Sequence, residues 1–342
     1  MSTIVEDVHA VLLPAIADLE LTDALKQFLD RGGRSILLGE TRDEYVARRM
    51  ASERSQAETR DQFMEVAEQV RHRVGPALIA VDQEPAGIQR LHSLVPPLPH
   101  LAELQQMSDT AIETSCRATA AAARGMGVTM FLAPILDVIT GRNPWLAGRT
   151  LGTNHREVAR IAAAAVRGFQ AGGVIAVAKH FPGHSDIDGD PAIAEATVSL
   201  SMAQLEPGLA IFRSVIAAGV GAVMLGPALV PAVDPKEPSP TSRATAQLLR
   251  ERLGFRGLVV SDDLEAKATL RGRSLVDTAI ASLKAGADLL LVAAGDHLDA
   301  LCGAIGQAVA DGRLGRERLS AAADRVRAAA RDVPPIKKEI NT

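Results

Sequence analysis

Cysteine is scarce in this chain: 342 residues include only two, Cys116 and Cys302, far apart in sequence. Such a pair offers neither a disulfide framework nor a metal-ligand spacing and reads as two packed thiols. Aromatic residues make up 3%, which argues against a broad aromatic platform for carbohydrate; any sugar site here has to rest on polar groups. An excess of one charge is also lacking. Lys and Arg number 37 against 41 Asp and Glu, a formal net charge of −4, and no basic cluster marks a nucleic-acid surface. No apolar run reaches the ~18 residues of a membrane span. The opening segment "MSTIVEDVHAVLLPAIADLE" has neither the basic start nor the unbroken apolar core of a signal peptide, so the expected compartment is the cytoplasm. The HExxH pattern of a helical zinc site is absent, and "LLGETRDEY" is not the Gly-rich phosphate turn that a doubly wound nucleotide fold needs after its first strand.

What the chain does have is a recurring alternation. Short, β-branched apolar runs start at Ser35 ("SILLG"), end at Asp82 ("ALIAVD") and end at Val138 ("TMFLAPILDV"). Others begin at Val174 ("VIAVAKHF"), Gly221 ("GAVMLG"), Gly257 ("GLVVSDD") and Ala287 ("ADLLLVAAG"). Runs of this length without polar alternation suit strands buried on both faces. Between them lie Ala-rich stretches at helical period. In "NHREVARIAAAAVRGFQAGG", Asn154 and Glu157 predict a capping box, and Gly172 and Gly173 a stop. In "SRATAQLLRERLGF", Ser242 is the predicted N-cap. About seven strand–helix repeats without a low-complexity linker predict an α/β fold: a single (β/α)8 TIM-like barrel in one domain spanning 1–342, with its core at about 30–330.

A barrel of this kind carries its chemistry at the C-terminal ends of its strands, and the conspicuous polar residues fall there. Asp82 and Glu84 end the second run and Asp137 the third. Lys179, His180 and His184 end the fourth, and Asp262, Asp263 and Glu265 the sixth. Asp263 has the position of a cap for the following helix, which leaves Asp262 for the barrel mouth as a nucleophile or base. His180 and His184 sit on a strand end and a turn containing Pro182, which is not a metal-binding helical face. Buried carboxylates beside Lys and His are the groups that glycoside hydrolysis uses.

Taken together, "VDQEPAGIQRL", "APILDV", "GRTLG", "AVAKHFPGH" and "LGFRGLVVSDDLEAKA" resemble family-three glycoside hydrolases, in particular the single-domain bacterial β-N-acetylglucosaminidases. The resemblance runs in order over about residues 30 to 330. It implies hydrolysis of a β-linked N-acetylhexosaminide or related sugar with retention, through a covalent glycosyl-enzyme. The nucleophile would be Asp262. Asp82, Arg149, Lys179 and His180 would bind the sugar, and Arg90 would help line the pocket. The resemblance implies no metal or organic cofactor, a small-molecule sugar substrate and a monomer, and no nucleic-acid or membrane partner.

The pattern breaks in three loops. The family follows its Phe-Pro-Gly-His turn with a mobile loop ending in Asp-Ser-His, whose His is the general acid/base. Here the Asp falls on Asp190, and Pro191 and Ala192 follow, so that His is missing. Gly226 and Pro227 replace an Ala-His pair, and Pro85, Ala86 and Gly87 replace Gly-Gly-Arg. The strands keep their pattern, so the change is confined to the mouth. Three consequences stay open. In the first, Asp186, Asp188, Asp190 or Glu195 supplies the proton, with Asp190 the catalytic candidate matched to the motif. Alternatively, the leaving group needs no acid. Otherwise hydrolysis has given way to another small-molecule reaction or to sugar binding without catalysis.

Overall fold

The computed structural model describes residues 2–333 except Arg48. Eight parallel strands follow the chain around a barrel: β1 (Leu12–Ile16), β2 (Ser35–Leu38), β3 (Leu78–Val81), β4 (Met130–Phe131), β5 (Ile175–Phe181), β6 (Ala222–Leu225), β7 (Leu258–Ser261) and β8 (Leu290–Ala293). Each pairs with the next, and β8 returns to β1 with Leu12 opposite Leu290 and Ala15 opposite Ala293. β7 and β8 meet through the single parallel bridge Val260–Leu289, which closes the ring. The expected (β/α)8 barrel is therefore the fold.

Alternation along the strands builds two apolar layers. Leu78 and Ala80 of β3 join Leu13, Leu37, Met130, Val177, Met224 and Val260 in the barrel interior. Ile79 and Val81 join the larger layer between strands and helices. Both faces of each strand are thus covered, which is why the runs read as continuous apolar sequence.

The core was expected from about residue 30, and the first strand, Leu12–Ile16, lies ahead of it. Pro14 has no N–H to give to a neighbour and argues against a central strand, yet β1 is paired on both sides. The helical signals are largely realised. Asn154 caps His155–Ala171 by accepting from the N–H groups of Arg156 (2.9 Å) and Glu157 (3.2 Å). The Glu157 side chain turns to Arg160 instead of back to Asn154, so the reciprocal half of the capping box is not made. Ser242 accepts from the Thr245 N–H at 3.0 Å. Among the described residues no helix is long and apolar enough to cross a membrane.

Candidate active site

The strand ends deliver their polar side chains to one cavity of about 390 Å³ at the C-terminal mouth of the barrel. Its walls include Glu40, Asp82, Arg149, Lys179, His180 and Asp262. The ends of β2, β3, β5 and β7 and the loop after β4 converge there because an eight-stranded barrel is narrow enough for inward side chains to meet.

A buried four-membered ion network forms one wall. Lys179, at the end of β5, donates to Asp82 Oδ1 at 2.6 Å and lies 2.8 Å from Glu84 Oε1. Arg149 grips Glu84 with both arms, Nη2 to Oε1 at 2.5 Å and Nε to Oε2 at 3.1 Å. Burial alone would raise the Glu84 carboxyl, but Arg149 and Lys179 outweigh it and hold Glu84 well below the usual carboxylate range. Burial would likewise discharge Lys179, but Asp82 and Glu84 more than compensate and raise its ammonium. Two cations and two carboxylates are thus held together out of water, as a charge-balanced set can be. The remodelled loop serves this set. A Cβ on Gly87 would come 2.1 Å from Glu84 Oε2, the oxygen that also accepts from the Ile88 N–H at 3.0 Å.

A second buried carboxylate, Asp137, orients β5. It accepts from the His180 N–H (3.0 Å), the His180 ring Nδ1 (2.8 Å) and the His184 N–H (2.6 Å). Burial lowers the His180 imidazole to about 4 despite Asp137, with Lys179 and Arg149 adding to the shift. The ring is therefore neutral near pH 7; with its proton on Nδ1 toward Asp137, Nε2 is an acceptor. His184 is absorbed structurally: Nδ1 meets the His180 carbonyl at 3.1 Å and Nε2 accepts from the Ala228 N–H at 3.4 Å. A Cβ on Gly226 would lie 2.1 Å from the His184 ring, so the glycine of the altered "LGPAL" segment is needed for that packing.

Asp262 follows β7. Its Oδ1 accepts from the Asp263 N–H at 2.8 Å, while Oδ2 is shielded from solvent with no hydrogen-bond partner and lies 3.9 Å from His180 Nε2. Burial pushes this carboxyl up to about 6, with the Asp263 charge adding to it and Lys179 opposing. Asp263 does not cap a helix: it accepts from the Glu265 N–H at 2.9 Å, and the next helix starts at Lys267. Burial pushes Asp263 up to about 6 as well.

Asp82, Arg149, Lys179, His180 and Asp262 thus share one cavity. Arg90 and Asp190 do not line it. Arg90 is fully buried behind the wall, paired to Glu58 at 2.6 and 2.8 Å and donating from Nε to the Gly39 carbonyl at 2.8 Å. It fixes the end of β2 and has no free donor face toward the pocket. Asp190 turns to Arg42 at 2.6 Å and to the Ala192 N–H at 3.0 Å. The residues that follow it line the cavity instead: Pro191 and Ala192. Their carbonyls accept from the N–H groups of Ala268 (3.0 Å) and Lys267 (3.2 Å). Glu195 pairs with Arg271 at 2.8 Å and is more than half exposed, and Asp186 and Asp188 are exposed. The loop is therefore laced to the segment after β7, with an apolar tip in the site.

Three lining residues escaped the sequence reading. Glu40 sits two residues beyond β2. Tyr45 accepts from Trp145 Nε1 at 2.8 Å and from Arg149 Nη1 at 3.0 Å, and the Trp145 ring lies 4.5 Å from that of His180. These are the only Trp and the only Tyr in the sequence, and that singularity was the available signal.

Comparison with known proteins bears on the fold and the family. The family model described as "Glycosyl hydrolase family 3 N terminal domain" matches residues 35–329. A β-hexosaminidase of Nitrosomonas eutropha is 32% identical over 225 residues, 64% of this chain and 65% of that protein. One from Neisseria meningitidis serogroup C is 32% identical over 224 residues, 63% of this chain and 62% of that protein. The aligned segments therefore span a little under two thirds of these relatives. Among solved structures, a glycoside hydrolase family 3 β-N-acetylglucosaminidase from a Paenibacillus species superposes with a TM-score of 0.87 at 28% identity, covering 100% of this chain and 65% of that one. A family member from Mycobacterium smegmatis gives 0.82 at 25% identity, covering 98% of both chains.

Proposed function

Because the chain belongs to glycosyl hydrolase family 3, we propose that it is a retaining glycosidase of the β-N-acetylhexosaminidase type, with Asp262 as nucleophile and without the loop histidine as proton donor. In the first step an Asp262 carboxylate oxygen bonds to the anomeric carbon. The bond from that carbon to the aglycone oxygen breaks, and the aglycone leaves with the electron pair. In the second step water attacks the same carbon, the aspartyl ester bond breaks, and Asp262 is restored as carboxylate. Lys179, Asp82 and Arg149 bind sugar hydroxyls, and neutral His180 accepts from one through Nε2.

The observation that carries this reading is the state of Asp262. One oxygen is oriented by a backbone N–H and the other has no partner, beside a cavity of sugar size. The same surroundings bear on the departing group. Ala192 and Pro191 occupy the loop tip, and the loop's own carboxylates are turned to Arg42 and Arg271 or to solvent. The aglycone oxygen then leaves without protonation from that loop, and an acidic phenol tolerates this far better than a sugar hydroxyl.

The test compares nitrophenyl and alkyl β-N-acetylglucosaminides across pH. General-acid help is worth about 10²–10⁴ in rate, and the nitrophenyl substrate is expected to be faster by a margin of that order beyond the enzymes that keep the histidine. Activity should fall as pH drops through about 6, where Asp262 takes up a proton. Equal, fast turnover of both substrates would show that an acid is in place. Cleavage of neither would refute the hydrolase reading.

A further inference from the structure

Within the cavity, Glu40 is used by none of the steps above. It lies beyond β2, where the Gly39 carbonyl is clamped by Arg90 Nε (2.8 Å) and Arg54 Nη2 (3.2 Å), and the Gly39 N–H donates to the Ile16 carbonyl at 2.8 Å. Its backbone is therefore fixed at the mouth. The residue lines the cavity, yet its Oε1 is shielded from solvent with no hydrogen-bond partner among the described residues.

The neighbouring charges are already committed. Lys179 and Arg149 balance Asp82 and Glu84. Among the described residues, Arg90 is spent on Glu58, and Arg42, a further cation on the wall, is engaged by Asp190. Glu40 is thus an acidic group that feels the Asp82 charge and forms no ion pair among the described residues. A buried polar group without a partner costs stability, so its persistence on the wall of a binding site points to a ligand group that completes it. An anion is repelled there by Asp82. A hydroxyl satisfies one oxygen, whereas an ammonium brings three donors and the positive charge that lets Glu40 give up its proton.

We propose that Glu40, together with Asp82, is a specificity-determining subsite that selects a glycone bearing a protonated amino group at the position meeting this wall and rejects one bearing an anion there. The inference rests on the sugar-binding reading above but does not need hydrolysis, so binding tests it separately. The single tryptophan, Trp145, lines the cavity and reports occupancy through its fluorescence. The probes are N-acetylglucosamine, its 3-, 4- and 6-amino-deoxy analogues, and its 6-phosphate, titrated into the whole chain at pH 7.

At least one amino analogue should bind about tenfold more tightly than N-acetylglucosamine, the gain of a charge-assisted over a neutral hydrogen bond, and the phosphate should bind more weakly. Burial and Asp82 hold the Glu40 carboxyl up at about 8. Capture of an ammonium should therefore release a proton, seen by calorimetry as an enthalpy that depends on the buffer. Glu40→Gln keeps the shape and should bring the amine preference to within about twofold and abolish the proton release. A preference for the hydroxyl or phosphate sugar, or an amine preference that survives in Glu40→Gln, overturns the proposal. Failure of N-acetylglucosamine and every analogue to bind would overturn the sugar-site reading and this proposal with it.

Discussion

Replacing Asp262 by Asn should stabilise the protein while removing its activity. The carboxyl is pushed up to about 6 by burial, against an ordinary value of about 3.9, and each unit corresponds to about 1.4 kcal/mol. A group whose folded pKa is raised contributes stability that is complete below its unfolded value and is lost as pH rises through its folded value. Above pH 6 the ionised Asp262 therefore costs the fold about 3 kcal/mol. Its side chain is 16% exposed, and solvent screening trims this to about 2–3 kcal/mol. Asn keeps the shape, keeps an oxygen for the Asp263 N–H, and carries no charge. For a domain of this size the entropy of unfolding is roughly 0.7 kcal/mol per degree, so Tm should rise by about 3–4 °C at pH 8. The gain should shrink as pH falls through 6 and vanish near pH 4. Thermal melts of both proteins from pH 4 to 8 check this. An Asn variant that melts below the parent at pH 8 would mean the carboxylate is satisfied by a partner in the folded state, and the argument for a poised nucleophile would fail.

Three further outcomes follow from the same geometry. Glu84→Ala leaves Lys179 and Arg149 with one carboxylate between them and should cost about 3–5 kcal/mol, read by denaturant titration; a loss under about 1 kcal/mol would mean the network relaxes or admits water. Ala192→His should recover less than about a tenth of the general-acid factor for alkyl glycosides, because the carbonyls of residues 191 and 192 are tied to the N–H groups of Ala268 and Lys267; full recovery in steady-state kinetics would show the loop to be free. Arg90→Lys should lower stability by about 1–3 kcal/mol through loss of the bidentate pair with Glu58, with the larger share of any kinetic effect indirect; a sugar-specific rise in KM at unchanged Tm would place Arg90 in contact with substrate.

The fold was largely legible because a parallel barrel buries both faces of its strands, and those strands read as short apolar runs. β1 was the exception: Pro14 interrupts it, and sheet closure with β2 and β8 overrides the local signal. Asp82, Lys179, His180 and Asp262 could be found because each stands at the polar end of an apolar run, where barrel geometry assigns function. Arg90 resembled a pocket residue by motif position, but its partner Glu58 is 32 positions away, and no local pattern records that pairing. Asp190 was a matched motif position whose side chain is taken by Arg42, 148 positions away. Glu40 was hidden because a charged residue after a strand looks like an ordinary loop; what sets it apart is that Oε1 has no partner among the described residues. Tyr45 and Trp145 belong to a short helix and a turn with no periodicity to read, and their hydrogen bond spans 100 positions.

The central claim is that Asp262 attacks the anomeric carbon although the loop histidine is gone. Intact-protein mass spectrometry after incubation with an activated fluoro-sugar carrying a dinitrophenyl leaving group tests it without requiring an acid. The account predicts a mass increase of one fluoroglycosyl unit, with the label on the peptide holding Asp262 and none on Asp262→Asn. A label on a different residue, or release of dinitrophenol with no covalent species under conditions that trap such intermediates, would contradict it.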